Sequence, residues 1–159
     1  MPLRAGIGYD IHRRADGRRL VLGGVVFESS WGLEGHSDAD VLLHAIGDAL
    51  LGAAALGDLG RHFPPGEARW KDVSSLELVR RIRALLAQRG ARVVNVDATV
   101  VAEAPALAPQ RQAMCVNIAL ALEIDVSCVS VKATTNETLG ALGRGEGIAA
   151  WAVAMVETP

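Results

Sequence analysis

The chain has 159 residues, half of them hydrophobic and only 4% aromatic, with a net charge of −2. That length suits one domain spanning residues 1–159, with a core packed from small aliphatic side chains. The charge balance argues against a nucleic-acid groove, which needs clustered Lys and Arg, and no apolar span or signal-peptide core points to a membrane or to export. A cytoplasmic protein is therefore expected, with no nucleic acid and no membrane among its partners. The two cysteines, Cys115 and Cys128, lie in apolar runs and read as buried thiols.

In chain order, Leu3 to Tyr9 reads as a strand in which Gly6 and Gly8 invite close approach of a neighbour. The run closes in Asp10-Ile11-His12, and period-two alternation would put Asp10 and His12 on one side. Arg13, Arg14, Arg18 and Arg19 surround the turn signal Asp16-Gly17, as on a solvated turn. Arg19–Leu22 and Val25–Glu28 are short strands around Gly23-Gly24, a hairpin. Ser29 to Gly35 is expected to be a loop that delivers His36.

The stretch Gly35–Ala45 carries two histidines and two aspartates and then becomes an apolar helix. Ser37 and Asp40 have capping-box spacing, so the helix is expected to start near Asp38 and run to about Ala55. Asp40, His44 and Asp48 then share one face of a helix that is otherwise apolar. Polar groups held so need a partner or a metal. Asp10, His12 and His44 together would supply a carboxylate and two imidazoles to one divalent ion, with a position left open, as in catalytic zinc sites. The alternative is two unrelated features, a helix-face histidine and an Asp-x-His turn. Asp48, one turn beyond His44, is the expected partner of that ligand.

Arg61–Glu67, with Pro64 and Pro65, is irregular and reads as a linker or as a lid. Ser74 and Glu77 have capping-box spacing and open a helix that ends at Gly90. Arg92–Glu103 is a long strand, followed by the loop Ala104–Pro109 and a helix over Gln110–Leu122. Ser127–Thr134 is a strand whose end, Thr134-Thr135-Asn136-Glu137, reads either as a phosphate or second-metal site or as a helix cap. Gly143–Gly147 reads as a glycine-rich hairpin and not a P-loop, and Ile148–Glu157 as the last strand. The order predicts an α+β fold: two layers, a mixed sheet with helices on one face, and another copy of the chain as candidate cover for the other face.

These segments coincide with a family pattern. G-x-D-x-H stands at Gly8–His12, H-S-D-x-D-V-x-x-H-A at His36–Ala45, and D-A-L-L-G-A-A-A-L-G-D-L-G at Asp48–Gly60. N-V-D-A-T-V follows at Asn95–Val100, V-K-A-T-T at Val131–Thr135 and G-R-G-E-G-I-A at Gly143–Ala149. From Arg4 to Val156 the chain resembles the 2-C-methyl-D-erythritol 2,4-cyclodiphosphate synthases of the non-mevalonate isoprenoid pathway.

The resemblance implies a lyase: a metal-assisted intramolecular phosphoryl transfer on 4-diphosphocytidyl-2-C-methyl-D-erythritol 2-phosphate that releases CMP. It implies a homotrimer with active sites between subunits, zinc on Asp10, His12 and His44, and magnesium or manganese on Glu137. His36 and Thr135 match catalytic positions. Asp10, His12, Ser37, Asp58, Leu59, Gly60 and Phe63 match substrate contacts. So do Ala102, Ala104, Pro105, Ala106, Leu107 and Ala108 around cytosine, and Thr134, Thr135, Asn136 and Glu137 around the phosphates. Arg144 matches an arginine at the trimer axis. Pro65, Ala106, Asn136 and Ala141 depart from the usual residues, which bears on substrate affinity and the axial pocket. A metal-dependent phosphohydrolase and a non-catalytic nucleotide-binding trimer are the rival readings.

Overall fold

A computed structural model describes all residues from 1 to 159. The strands are β1 (Leu3–Asp16), β2 (Leu20–Leu22), β3 (Val25–Phe27), β4 (Trp31–Leu33), β5 (Arg92–Val101), β6 (Val129–Thr134) and β7 (Gly147–Glu157). The helices are α1 (Val41–Ala53), α2 (Leu59–His62), α3 (Ser75–Gln88), α4 (Arg111–Leu122) and α5 (Gly140–Gly143). Five strands form one mixed sheet in the order β4-β1-β7-β5-β6. Only β5 and β6 are parallel, joined by a crossover through α4. β2 and β3 form a separate hairpin closed by Gly23 and Gly24, both at positive φ, as its sequence predicts. The α+β expectation therefore holds.

Alternation decides which face is the core. Along β7, Ile148, Ala150, Ala152, Ala154 and Val156 are buried while Trp151 and Val153 are exposed. Along β1, Ile7, Tyr9 and Ile11 are exposed on that same outer side. The inner side of β1 carries Gly6, Gly8, Asp10 and His12, and α1 lies against it. A Cβ on Gly6 would stand 2.0 Å from the Ala49 carbonyl oxygen, and one on Gly8 only 1.8 Å from that of Ala45. The glycines therefore let helix and strand backbones touch. Buried residues occupy nearly the whole circumference of α1, because the sheet covers one side and α3 another.

Several local expectations are corrected. Strand β1 continues past Tyr9 to Asp16, and Trp31–Leu33 is a strand rather than loop, paired antiparallel with Arg14–Asp16. Helix α1 starts at Val41, not near Asp38. Asp40 is its N-cap, accepting from the Leu43 amide at 3.1 Å, while Ser37 caps nothing in the helix. Ser74 makes no side-chain cap on α3, and Glu77 pairs with Arg81 at 2.9 Å instead of reaching back. Residues 59–62, expected to be irregular at their end, make the single turn α2; Gly140–Gly143 make another, and Gly143–Gly147, expected to be a hairpin, run from the end of that turn into β7. Cys115 is a buried free thiol, and Cys128 is free but half-buried. No helix is long and apolar enough to cross a membrane.

Candidate functional site

The inner face of β1 presents Asp10 and His12 beside the first turns of α1, where His44 stands. The Asp10 Oδ2 lies 2.8 Å from His12 Nε2 and 2.9 Å from His44 Nδ1, and the two ring nitrogens are 3.1 Å apart. The period-two reading of Asp10-Ile11-His12 is thus correct, and the chain brings the three predicted ligands together.

Hydrogen bonds behind the triad set both tautomers. His12 donates from Nδ1 to the Glu34 carbonyl at 2.6 Å, leaving its Nε2 lone pair inward. On the far side of His44, Ser75 Oγ donates to Asp38 Oδ1 at 2.5 Å, so at His44 Nε2 (3.0 Å away) it can only accept. His44 therefore carries its proton on Nε2, shared with Ser37 Oγ at 3.1 Å, and its Nδ1 lone pair faces Asp10. Three lone pairs converging this closely repel one another unless a cation lies among them. Ligands about 2.0–2.1 Å from a tetrahedral zinc sit roughly 3.3 Å apart, so the three atoms fit such an ion after spreading by a few tenths of an ångström. Asp48 makes no hydrogen bond to His44; its Oδ1 accepts from the Leu59 amide at 2.8 Å and anchors the start of α2. The expected role of Asp48 as partner of a ligand passes to Ser37, Ser75 and Asp38, which periodicity could not reveal because Ser75 is 31 residues from His44.

Electrostatics follow from this packing. Burial alone would raise Asp10, but with no ion among the three the imidazoles can take up protons on their inner nitrogens, and their hydrogen bonds and charge then outweigh burial and bring its pKa to about 2. Burial would lower His12, but the Asp10 carboxylate and the Glu34 carbonyl raise it. Burial raises Asp40 to about 6, with the Asp38 charge adding to it, against amide donors Gly24, Leu43 and Gly23.

The triad forms the floor of a cavity of about 290 Å³ that also receives His36, Ser37, Leu59, Gly60 and Phe63. Sequence reading found these eight; it missed Trp70, Val73 and Leu78 on the walls. Trp70 meets Phe63 edge-on with centroids 5.0 Å apart, a contact between two segments that carry no periodic signal. His36 hydrogen-bonds through Nε2 to the Glu67 carbonyl at 3.2 Å. Asp58 is not on the wall: its carboxylate caps α2 by accepting from the Arg61 amide at 3.0 Å.

Apart from Arg144, which follows α5, the remaining predicted residues form a second group, at the ends of β5 and β6, and none of them lines the cavity. The Ala102 amide donates to the Thr134 carbonyl at 3.0 Å, so the loop with Ala104, Pro105, Ala106, Leu107 and Ala108 starts beside Thr134. Leu107 is buried, and Ala104, Ala106 and Ala108 are exposed. Glu103, which sequence reading passed over, accepts from the Asn136 amide at 2.8 Å and so ties the two loops together. Thr135, Asn136 and Glu137 are exposed, and no helix follows to be capped by them at Thr138. Glu137 belongs to no cluster of three candidate ligands within the chain. Arg144 pairs with Glu146 at 2.6 Å.

Known proteins can now be set beside this geometry. A Desulforamulus reducens protein described as 2-C-methyl-D-erythritol 2,4-cyclodiphosphate synthase is 59% identical over 155 residues, which cover 98% of this chain and 99% of that one. A Plasmodium falciparum IspF, solved as a CDP complex, superposes with a TM-score of 0.85 at 33% identity, covering 98% of this chain and 96% of that chain. The bifunctional IspDF of Campylobacter jejuni superposes with a TM-score of 0.95 at 39% identity over 99% of this chain, which spans 43% of that longer one. The pattern of the YgbB family matches residues 3–157, and with these identities over nearly its whole length the chain belongs to that family.

Proposed function

We propose that this chain is a 2-C-methyl-D-erythritol 2,4-cyclodiphosphate synthase of the non-mevalonate isoprenoid pathway. The observation that carries the reading is the triad Asp10, His12 and His44 at the floor of a cavity, in a chain of this family. The substrate is 4-diphosphocytidyl-2-C-methyl-D-erythritol 2-phosphate. An oxygen of its 2-phosphate bonds to the β-phosphorus, the bond from that phosphorus to the bridging oxygen breaks, and CMP leaves with that oxygen. The product is the eight-membered cyclic diphosphate, and no water is consumed.

Two phosphates must approach each other, so their charge has to be offset. Asp10, His12 and His44 would hold a divalent ion, zinc by the chemistry of the donor set, and Glu137 a second, magnesium or manganese; such ions neutralise and orient phosphate oxygens. His36 and Thr135 donate hydrogen bonds to phosphate oxygens as charge moves to the leaving group. Ser37, Leu59, Gly60 and Phe63 shape the erythritol end of the cavity, with Asp58 holding α2 in place behind them. The main chain of Ala102–Ala108 reads cytosine, and Thr134–Glu137 meets the diphosphate.

The two groups of residues work together across subunits. The exposed apolar face of Ile7, Tyr9, Ile11, Trp151 and Val153 is the surface by which three copies assemble, and each active site takes the triad from one copy and the Ala102–Ala108 and Thr134–Glu137 loops from the next. Arg144 lies near the axis in this assembly.

Phosphorus NMR of the substrate incubated with the protein and magnesium tests the reaction. Cyclic diphosphate plus CMP is expected, and a chelator abolishes both. CMP with an open-chain phosphate would mean hydrolysis and would overturn the reading.

A further inference from the structure

The Glu34–Asp38 segment lies between the last sheet residue of β4 and the start of α1, so its carbonyls have no ladder or helix partners. Four consecutive carbonyls nevertheless each receive a donor. His12 Nδ1 donates to Glu34 at 2.6 Å, and the Asp72 amide to His36 at 2.9 Å. Both others are taken by one side chain: Arg18 donates from Nη1 to Gly35 at 3.0 Å and from Nη2 to Ser37 at 3.1 Å. The guanidinium thus brackets His36, with a hydrogen bond to the carbonyl on either side of it. A planar fork of fixed geometry suits two carbonyls two residues apart, because its donors sit on two separate nitrogens, whereas an ammonium offers all three of its donors from a single, freely rotating nitrogen.

We infer that Arg18 is a positioning residue of the active site: by clamping the Gly35 and Ser37 carbonyls it fixes where His36 and the Ser37 hydroxyl stand. Arg18 touches no part of the catalytic cavity. It lines a separate hollow of about 530 Å³ on the other side of the segment, and Ser37 is part of both walls. The clamp therefore acts through the backbone it holds. Its two outputs are the His36 imidazole, exposed toward substrate, and the Ser37 Oγ, 3.1 Å from His44 Nε2. The metal ligands themselves ride on the backbones of β1 and α1, which Arg18 does not hold, and meet the clamped segment only through the Glu34 carbonyl and the Ser37 hydroxyl. Displacing a group by about 1 Å can lower a rate up to a hundredfold, so the arrangement of this unladdered segment matters.

The inference rests on the role proposed for His36, and its test separates the two. Hydrogen exchange by mass spectrometry is compared for the wild type, Arg18→Ala, Arg18→Lys and the control Arg19→Ala, alongside metal content and steady-state kinetics. Both Arg18 variants are expected to exchange faster over residues 34–39 while α1 stays protected and metal content is kept. Their kcat is expected to fall by about tenfold or more with a smaller change in KM, and millimolar guanidinium is expected to restore part of it to Arg18→Ala but not to Arg18→Lys. Unchanged exchange over residues 34–39 overturns the clamp whether or not the protein turns over the substrate. An equal loss of kcat in Arg19→Ala, or loss of metal in step with kcat, overturns it as well. A wild type without turnover refutes the proposed function alone, because the exchange result still stands.

Discussion

At the scale of single residues, the site depends on which nitrogen of each imidazole carries a proton. His12 and His44 each spend one N–H outside the triad, on Glu34 and on the serines, and turn the other nitrogen inward. Protons and metal then compete for the same lone pairs. Asp10, held at about 2, stays ionised through the ordinary pH range. His12 is raised above its usual value, so acidification protonates it readily, and a protonated imidazole cannot ligate. Metal content measured after dialysis is therefore expected to be retained from about pH 8 to neutrality and to fall as pH is lowered through the histidine range, about 6.5 and below. His12→Ala should lose the metal even at about pH 8. Content independent of pH down to about 5 would show that His12 is not a ligand.

At the scale of elements, the contact of β1 with α1 sets the position of everything in the site. Gly8 is two residues from Asp10 and lies under Ala45, beside His44, so strand and helix distances at the triad are set by a missing side chain. Gly8→Ala would force the backbones apart, since its Cβ would stand 1.8 Å from the Ala45 oxygen. A loss of about 3 kcal/mol or more in urea unfolding is expected, with weakened metal binding. Gly52, near the other end of α1, is a contrast: the nearest atom to an added Cβ is 3.9 Å away, and Gly52 is solvent-exposed. Gly52→Ala is expected to stabilise by about 0.5–1 kcal/mol through helix propensity. Equal effects of the two substitutions would refute close packing as the reason for Gly8.

On the scale of the whole molecule, one sheet face is buried under helices and the other is open. Ile7 is 72% exposed and Trp151 is 42% exposed, its ring 4.7 Å from that of Tyr9. An apolar surface of this kind on a central pair of strands is what an obligate interface presents. Ile7→Lys is expected to convert the proposed trimer to smaller species in light scattering coupled to gel filtration, and to abolish turnover while each chain keeps its fold and its metal content. A trimer unchanged by Ile7→Lys would place the interface elsewhere.

Sequence alone determined the features that repeat or stand adjacent. Alternation put Asp10 and His12 on one side of a strand, helical spacing carried His44 on an apolar helix, and the succession of elements gave an α+β fold with a mixed sheet. These are properties of short segments, and short-range geometry is periodic. Only the tertiary structure decided the rest. It turned Ser75 and Asp38 into the support of His44, set Arg18 across the carbonyls around His36, made Glu103 the tie between two loops, and gave Asp40, Asp48 and Asp58 backbone amides to hold. Each of these polar groups meets a loop or a helix end, where no ladder satisfies the main chain and any nearby donor or acceptor can serve. Such partners are chosen by where the packed elements leave unpaired amides and carbonyls, which no spacing along the chain encodes.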